Sequence, residues 1–400
     1  MLLFVLLLSN AFHLGTYLVQ RIKVLKLITQ ERGTMSEYIA ILLWLMLVAF
    51  MASKKSVKQY ELVNDRVVLR CRMWFAVLAF LPIIWMVGNR TLWFGDTGMY
   101  HDSFYAMPSS ISELPLYLPL VRKDKGFAVL SVTIKMLFGA DHTTYFLVLA
   151  VIQSYFLITV YRKYSLDYIF SIVLFIISTD YVAWMYNGIR QFTAVTMIFG
   201  ATTLMLKKKW LALVAIILLA STIHQSALLM IPLVFICSGK AWNRKTLIFI
   251  AVALLAVVFV GQFTNLLDTA LAETQYVNVV SDYKELSDDG TNPLRALIYS
   301  LPAILSFVGR DTIRKKDDSL VNLCTNMSIV SMGLYVVSMF TSGVFLGRLP
   351  IYVSLYGYIL LPWEVEHLFS RESKRFIFLG IIGMYLLFYY YQMHFAWGLL

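Results

Sequence analysis

Few residues in this 400-residue chain have types and spacing suited to chemistry, and those few sit at the edges of long apolar runs. The stretch "MYNGIRQFTAV", Met185 to Val195, sets Asn187, Arg190 and Gln191 between two such runs. If Asn187 caps a helix over 188–206, Arg190 falls in its first turn, where a cation opposes the helix dipole by roughly 0.3 to 1 kcal/mol. The bland alternative is a turn with a snorkelling arginine. An anion beside Arg190 removes the conflict, because free amides and a guanidinium together make an anion site. "GRLPIYVSLY" (347–356) repeats the pattern: Pro350 suits a first helical turn, so Arg348 also stands at a helix N-terminus, with Tyr352 one turn on.

Two further stretches carry polar chemistry. "STIHQSALLMIP" (221–232) places His224 at a turn between two short apolar segments. A lone histidine in an apolar chain is more often structural, but a neutral imidazole there can accept a proton near physiological pH. "GNRTLWFGDTGMYHDSFY" (88–105) mixes Arg90, Asp96, Tyr100, His101 and Asp102 with aromatic rings. Rings that stack on sugar faces beside groups that bind hydroxyls suit carbohydrate recognition, and an interfacial aromatic belt is the competing reading. Asp-Thr-Gly at 96–98 matches the aspartic-protease triplet, but it is a single copy in a short loop, whereas that chemistry needs two carboxylates.

These residues must be held by membrane-type elements. The chain is 60% hydrophobic and 14% charged, and runs such as "LIFIAVALLAVVFV" (247–260) are solidly apolar rather than alternating, which points to helices and not to a barrel. The expected fold is all-α and polytopic, with about twelve spans of roughly 20 residues or fewer. They fall at 35–53, 73–89, 142–160, 167–184, 188–206, 210–223, 226–238, 246–262, 294–309, 319–341, 348–363 and 376–395. A short segment at 126–139, with Lys135 in its middle, is expected to be re-entrant or interfacial. With that segment not crossing, Lys54, Lys55, Lys58, Arg66, Arg70, Arg72, Arg162, Lys163 and Lys207–Lys209 share one side with Lys240, Arg244, Lys245, Arg310, Arg314, Lys315, Lys316, Arg371, Lys374 and Arg375. By the positive-inside rule that side is cytoplasmic. The loops 90–125 and 263–293, the turn at His224 and residues 185–191 and 341–348 then open outward, onto a polar cavity.

Residues 35–400 are expected to form a single transmembrane domain. Residues 1–34 fit poorly, because a span over 1–19 leaves Arg21, Lys23, Lys26 and Arg32 on the outer side, so the natural start is expected at Met35. The net charge of +11 lies in short tracts between apolar segments, which argues against nucleic acid as a partner. Cys71, Cys237 and Cys324 lack metal-type spacing and are expected to pack. P-loop, GxGxxG, HExxH, GxSxG and CxxC patterns are missing from the sequence. The loops are too short for a soluble nucleotide-sugar domain, so any substrate must already be in the membrane.

The segments running from Arg90 through "FGDTGMY" to Phe104, then "KGF" (125–127), "NGIRQFTA" (187–194), "HQSALL" (224–229) and Arg348 with Tyr352 resemble, in this order, the EpsG family of Wzy-type bacterial polysaccharide polymerases. The resemblance implies glycosyl transfer between oligosaccharide repeat units carried on undecaprenyl pyrophosphate, at the outer face of the bacterial cytoplasmic membrane, with donor and acceptor both lipid-linked. A chain-length regulator is the implied protein partner. On that reading Arg190 and Arg348 stabilise the departing pyrophosphate. His224 is the first candidate to take the acceptor's proton and Asp96 the second. Arg90, Tyr100, Asn187, Gln191 and Tyr352 bind substrate. Pyrophosphate is already a good leaving group, so neither metal nor other cofactor is demanded. The rival readings are a flippase or transporter for the same lipid, an O-antigen ligase and a membrane acyltransferase.

Overall fold

The structure, a computed structural model, describes residues 33–63, 66–92, 94–271, 290–343 and 345–396. The expected start at Met35 concerns residues 1–34, of which 1–32 lie outside the described residues, as do 272–289 of the acidic loop. Every apolar run among the described residues folds as helix, the local way to satisfy each backbone N–H and C=O in hydrocarbon.

Helix α1 (Gly33–Ala52) leads to an antiparallel hairpin, β1 (Lys58–Val63) and β2 (Arg66–Cys71), paired from Lys58 with Cys71 to Val63 with Arg66. The hairpin departs from the all-α expectation, which read these residues as a charged loop. It is fastened to the bundle by Arg162, which donates to the Cys71 carbonyl at 2.7 Å and pairs with Glu61. Then come α2 (Met73–Gly88), the short α3 (Thr97–Ala106), α4 (Lys125–Phe138) and the long α5 (His142–Tyr164). Helices α6 (Tyr168–Ile177) and α7 (Asp180–Tyr186) are one apolar run bent by 68° at Thr179, whose φ is +61°.

The second half comprises α8 (Ile189–Gly200), α9 (Trp210–Ile223), α10 (Met230–Cys237), α11 (Arg244–Val258) and α12 (Val260–Leu271). It continues with α13 (Pro293–Val308), α14 (Arg310–Lys316), α15 (Ser319–Met339), α16 (Gly357–Leu368) and α17 (Ser373–Tyr391). Among the described residues three helices are long and apolar enough to cross a membrane, and six crossings result if each of three bent pairs counts as one. The expected twelve segments are helical, but breaks and short lengths leave that count without support from helix length.

Long helices fix which loops lie together. Along α5, His142 meets the His101 ring at 5.0 Å, while Arg162 holds the hairpin. Twenty-three helical residues put those ends about 34 Å apart. Other elements follow the same axis. Near the hairpin end Lys163 donates to Thr203, Lys316 lies over Trp363, and Arg314 donates to the Trp242 carbonyl. At the His101 end Ser338 donates to Thr291, and Asn292 to Tyr391. The basic tracts assigned to one side from sequence therefore gather at one end of the bundle, and the polar motifs, with Arg122, Lys123 and Lys125 among them, lie at the other.

Helix α4 belongs to the motif end at both of its termini. Asp124 at its start pairs with Arg190, and Lys135 donates to the carbonyls of Phe104 (3.2 Å), Tyr105 (2.9 Å) and Met107 (2.5 Å) at the end of α3. A cation on the C-terminal carbonyls of a helix is a favourable pairing. The mid-segment lysine is thereby satisfied by the end of α3.

Candidate functional site

The motif segments converge on the link between α7 and α8. Arg90 lies inside the protein, with 7% of its surface exposed. Its Nη1 donates to the carbonyls of Met185 (3.1 Å) and Tyr186 (3.0 Å), and its guanidinium lies 3.8 Å from the centre of the Phe146 ring. Those carbonyls end α7 and have no partner within the helix, so Arg90 fixes where the Asn187–Arg190 segment begins. The sequence reads it as a substrate contact; in the structure its Nη1 is engaged by these two carbonyls.

Asn187 binds the loop from the preceding motif. The Asp96 amide donates to Asn187 Oδ1 at 3.1 Å, and Tyr100 Oη donates to the Asn187 carbonyl at 3.3 Å. Gly95 makes the approach possible: its φ is +53°, and a Cβ there would lie 1.8 Å from Asn187 Oδ1. Asn187 is therefore not the cap expected for the next helix. That position belongs to Gly188, which makes no side-chain cap. Asp96 itself is exposed and caps nothing with its carboxylate.

Arg190, in the first turn of α8, finds its anion within the chain. Its Nη1 stands 2.8 Å from Oδ2 of Asp124, whose side chain is only 4% exposed, and its guanidinium lies 5.9 Å from the centre of the Tyr100 ring. Burial raises the Asp124 carboxyl above the usual carboxylate range, against the pull of Arg190, the Gln225 amide and Lys123. Burial likewise raises the Tyr100 phenol, opposed by Arg190. Gly126 lets α4 cross the end of α9 closely, since a Cβ there would lie 2.1 Å from Thr222 Oγ1. Asp124 is thus set beside the His224 turn. Asp124 was missed in the sequence, although it immediately precedes the "KGF" segment.

His224 and Arg348 complete the cluster. His224 Nδ1 is 2.7 Å from Ser226 Oγ, which is 2.9 Å from Tyr352 Oη. Burial lowers the His224 pKa to about 4, helped by the positive charges of Arg190, Lys123 and Arg348. The imidazole is uncharged at neutral pH, with three cations around it. Gln191 is buried and donates through Nε2 to the Arg348 carbonyl at 3.2 Å. Arg348 lies in a single 3-10 turn, Leu346–Arg348, just ahead of the helical turn whose N-cap is Pro350. Its side chain is exposed, rests 5.4 Å over Trp184 and makes no ion pair among the described residues.

One guanidinium held by a buried carboxylate, a second one stacked and exposed, and a neutral imidazole between them can bind a phosphate-type anion and accept a proton beside it. A separate cavity of about 800 Å³, lined by Arg70, Arg162, Asp167 and apolar residues of α1, α6 and α17, lies at the basic end and touches none of this cluster.

Neither the curated proteins nor the solved structures contain a match to this chain. A family model does match, over residues 73–397, and takes in every motif gathered at the α7–α8 link. The chain belongs to the EpsG family, the family of Wzy-type polysaccharide polymerases.

Proposed function

We propose that this chain polymerises oligosaccharide repeat units carried on undecaprenyl pyrophosphate, working at the outer face of the bacterial cytoplasmic membrane. The carrying observation is the single cluster of Arg190, Asp124, His224 and Arg348, set at the end of the bundle opposite the basic tracts. The positive-inside rule then assigns the basic end to the cytoplasm and the cluster to the outside.

In the reaction, the bond between the donor's anomeric carbon and its pyrophosphate oxygen breaks, and a hydroxyl oxygen of the acceptor sugar forms the new glycosidic bond. Undecaprenyl pyrophosphate leaves with the bonding electron pair. Arg348, exposed on Trp184, meets the departing charge first, and Arg190 adds a guanidinium whose direction Asp124 fixes. His224, uncharged and oriented through Ser226 and Tyr352, takes the hydroxyl proton, and exposed Asp96 is the second acceptor. Tyr100 offers a ring and a hydroxyl at the same opening, while Asn187, Gln191 and Arg90 hold the segments in place.

Complementation of a polymerase-deficient host tests the reading through glycan length on a gel. Arg348→Ala is expected to leave single repeat units on the lipid at the outer leaflet, with long chains missing. Normal chains from a membrane-inserted variant overturn the assignment. Repeat units trapped on the inner leaflet favour a flippase instead.

A further inference from the structure

A second arginine repeats the arrangement of Arg190. Helix α13 starts with Pro293, and Arg295 stands in its first turn, again a cation where the dipole disfavours one. Again a buried aspartate from a distant segment holds it. Arg295 Nη2 lies 3.0 Å from Oδ1 of Asp180, with 33% of the arginine side chain and 8% of the aspartate side chain exposed. For Arg190 and Asp124 those figures are 26% and 4%. Gln392 Nε2 donates to the same Asp180 oxygen at 3.1 Å, which fixes the carboxylate from a third element. Among the described residues Arg295 Nε is buried without a hydrogen-bond partner, and the Asp180 carboxylate meets the guanidinium at Nη2. A carboxylate on one edge leaves the remaining donors of the planar fork for a second anion.

The pair is linked to Arg348 through α7. Asp180 and Trp184 are four residues apart on α7, hence on one face and about one 5.4 Å turn apart. Asp180 carries Arg295, and Trp184 carries Arg348. The companion contact runs through the loop: a Cβ on Gly347 would lie 2.6 Å from Thr291 Oγ1, and Thr291 is four residues before Arg295.

We propose that Arg295 is a further anion-binding residue of this site, holding phosphate oxygens of the lipid-linked donor, with Asp180 as its fixed counter-ion. This rests on the polymerase reading in identifying the anion as a pyrophosphate. The guanidinium keeps its charge through the reaction and neither gains nor loses a proton.

Inorganic pyrophosphate is the probe, added to the full-length protein in lipid nanodiscs and read by thermal stabilisation across concentration. Arg295→Gln is expected to bind roughly tenfold more weakly than the unaltered protein. Arg295→Lys, which keeps the charge and loses the fork, is expected to melt normally and bind more weakly by a smaller factor. A folded Arg295→Gln protein with unaltered affinity overturns the proposal. Should that variant fail to fold, unaltered affinity in Arg295→Lys overturns it as well. If Arg348→Ala weakens binding and the Arg295 variants do not, this inference fails alone. If the unaltered protein ignores pyrophosphate, the anion reading of the whole site falls with it.

Discussion

Arg190 Nη1 and Asp124 Oδ2 stand 2.8 Å apart, joining the first turn of α8 to the residue ahead of α4 across 66 positions of sequence. The pair resolves a conflict visible in the sequence alone, a cation at the positive end of a helix dipole. Its cost falls on Asp124, a carboxylate with almost no exposed surface.

Asp124→Asn is therefore expected to destabilise the protein by about 1 to 3 kcal/mol, because a partly buried guanidinium loses its charged acceptor. Long polymer should be lost as well, since Arg190 then lacks the carboxylate that directs its guanidinium. Thermal melting and glycan length measured on the same preparation check both. Unchanged melting with full-length chains would remove Asp124 from the site.

Among the described residues Arg348 makes no ion pair, and it lies over Trp184. Its role is expected to depend on the planar guanidinium, so Arg348→Lys should not restore activity. Loss of one electrostatic contact to a departing oxyanion costs roughly 10²- to 10³-fold in rate. Initial rates of polymer formation for Arg348→Lys and Arg348→Ala should both fall by about that factor, with melting unchanged. A lysine variant at the original rate would reduce the contact to point charge.

For His224 the folded pKa of about 4 lies below an unfolded value near 6.5. Between those values the unfolded chain binds a proton that the folded chain refuses. Stability therefore falls as pH drops through about 6.5 toward 4, and no such loss occurs above 6.5. The polymerisation rate is expected to stay level from pH 7.5 down past 6.5, and His224→Gln should melt with a weaker acid dependence than the unaltered protein. An acid dependence of melting that is the same in His224→Gln and in the unaltered protein would contradict a buried, uncharged imidazole.

The sequence located the helices well, because apolar length is set by what each segment must bury. It also marked the motif residues, which stand where apolar runs stop. Pairings across the bundle were out of reach. Asn187 looks like a helix cap from its neighbours, but its side chain is taken by the Asp96 amide, 91 positions away. Asp124 is an unremarkable loop acid until α4 is set against the His224 turn. The hairpin at 58–71 was hidden because charged residues interrupt its apolar positions, and its anchor, Arg162, lies at the far end of α5. The break between α6 and α7 has no glycine or proline to announce it. Thr179 takes the unusual backbone instead.

Gly95→Ala tests the docking of two motifs on each other. A Cβ there collides with Asn187 Oδ1, and the positive φ adds backbone strain. The variant is expected to lose about 1 to 3 kcal/mol of stability, read by melting, together with polymer length. An alanine variant with full stability and normal chains would mean that the Gly95 turn and Asn187 do not need to touch.

The assignment of the two ends to the two sides of the membrane is open to a direct test in intact cells. Ser112 is exposed at the motif end, and Lys58 and Lys374 mark the basic end, Lys58 in the hairpin and Lys374 at the start of α17. Cys237 and Cys324 are buried and Cys71 is partly covered, so replacing Cys71 with serine leaves a background on which single introduced cysteines can be read. Ser112→Cys is expected to react with a membrane-impermeant maleimide in whole cells. Lys374→Cys is expected to react only after the cells are opened. The two positions lie at opposite ends of one bundle, so their labelling must be reciprocal whichever way the chain is inserted. Labelling of Lys374→Cys from outside, with Ser112→Cys protected, would leave the cluster intact but face it to the cytoplasm. Polymerisation on the outer leaflet would then be ruled out.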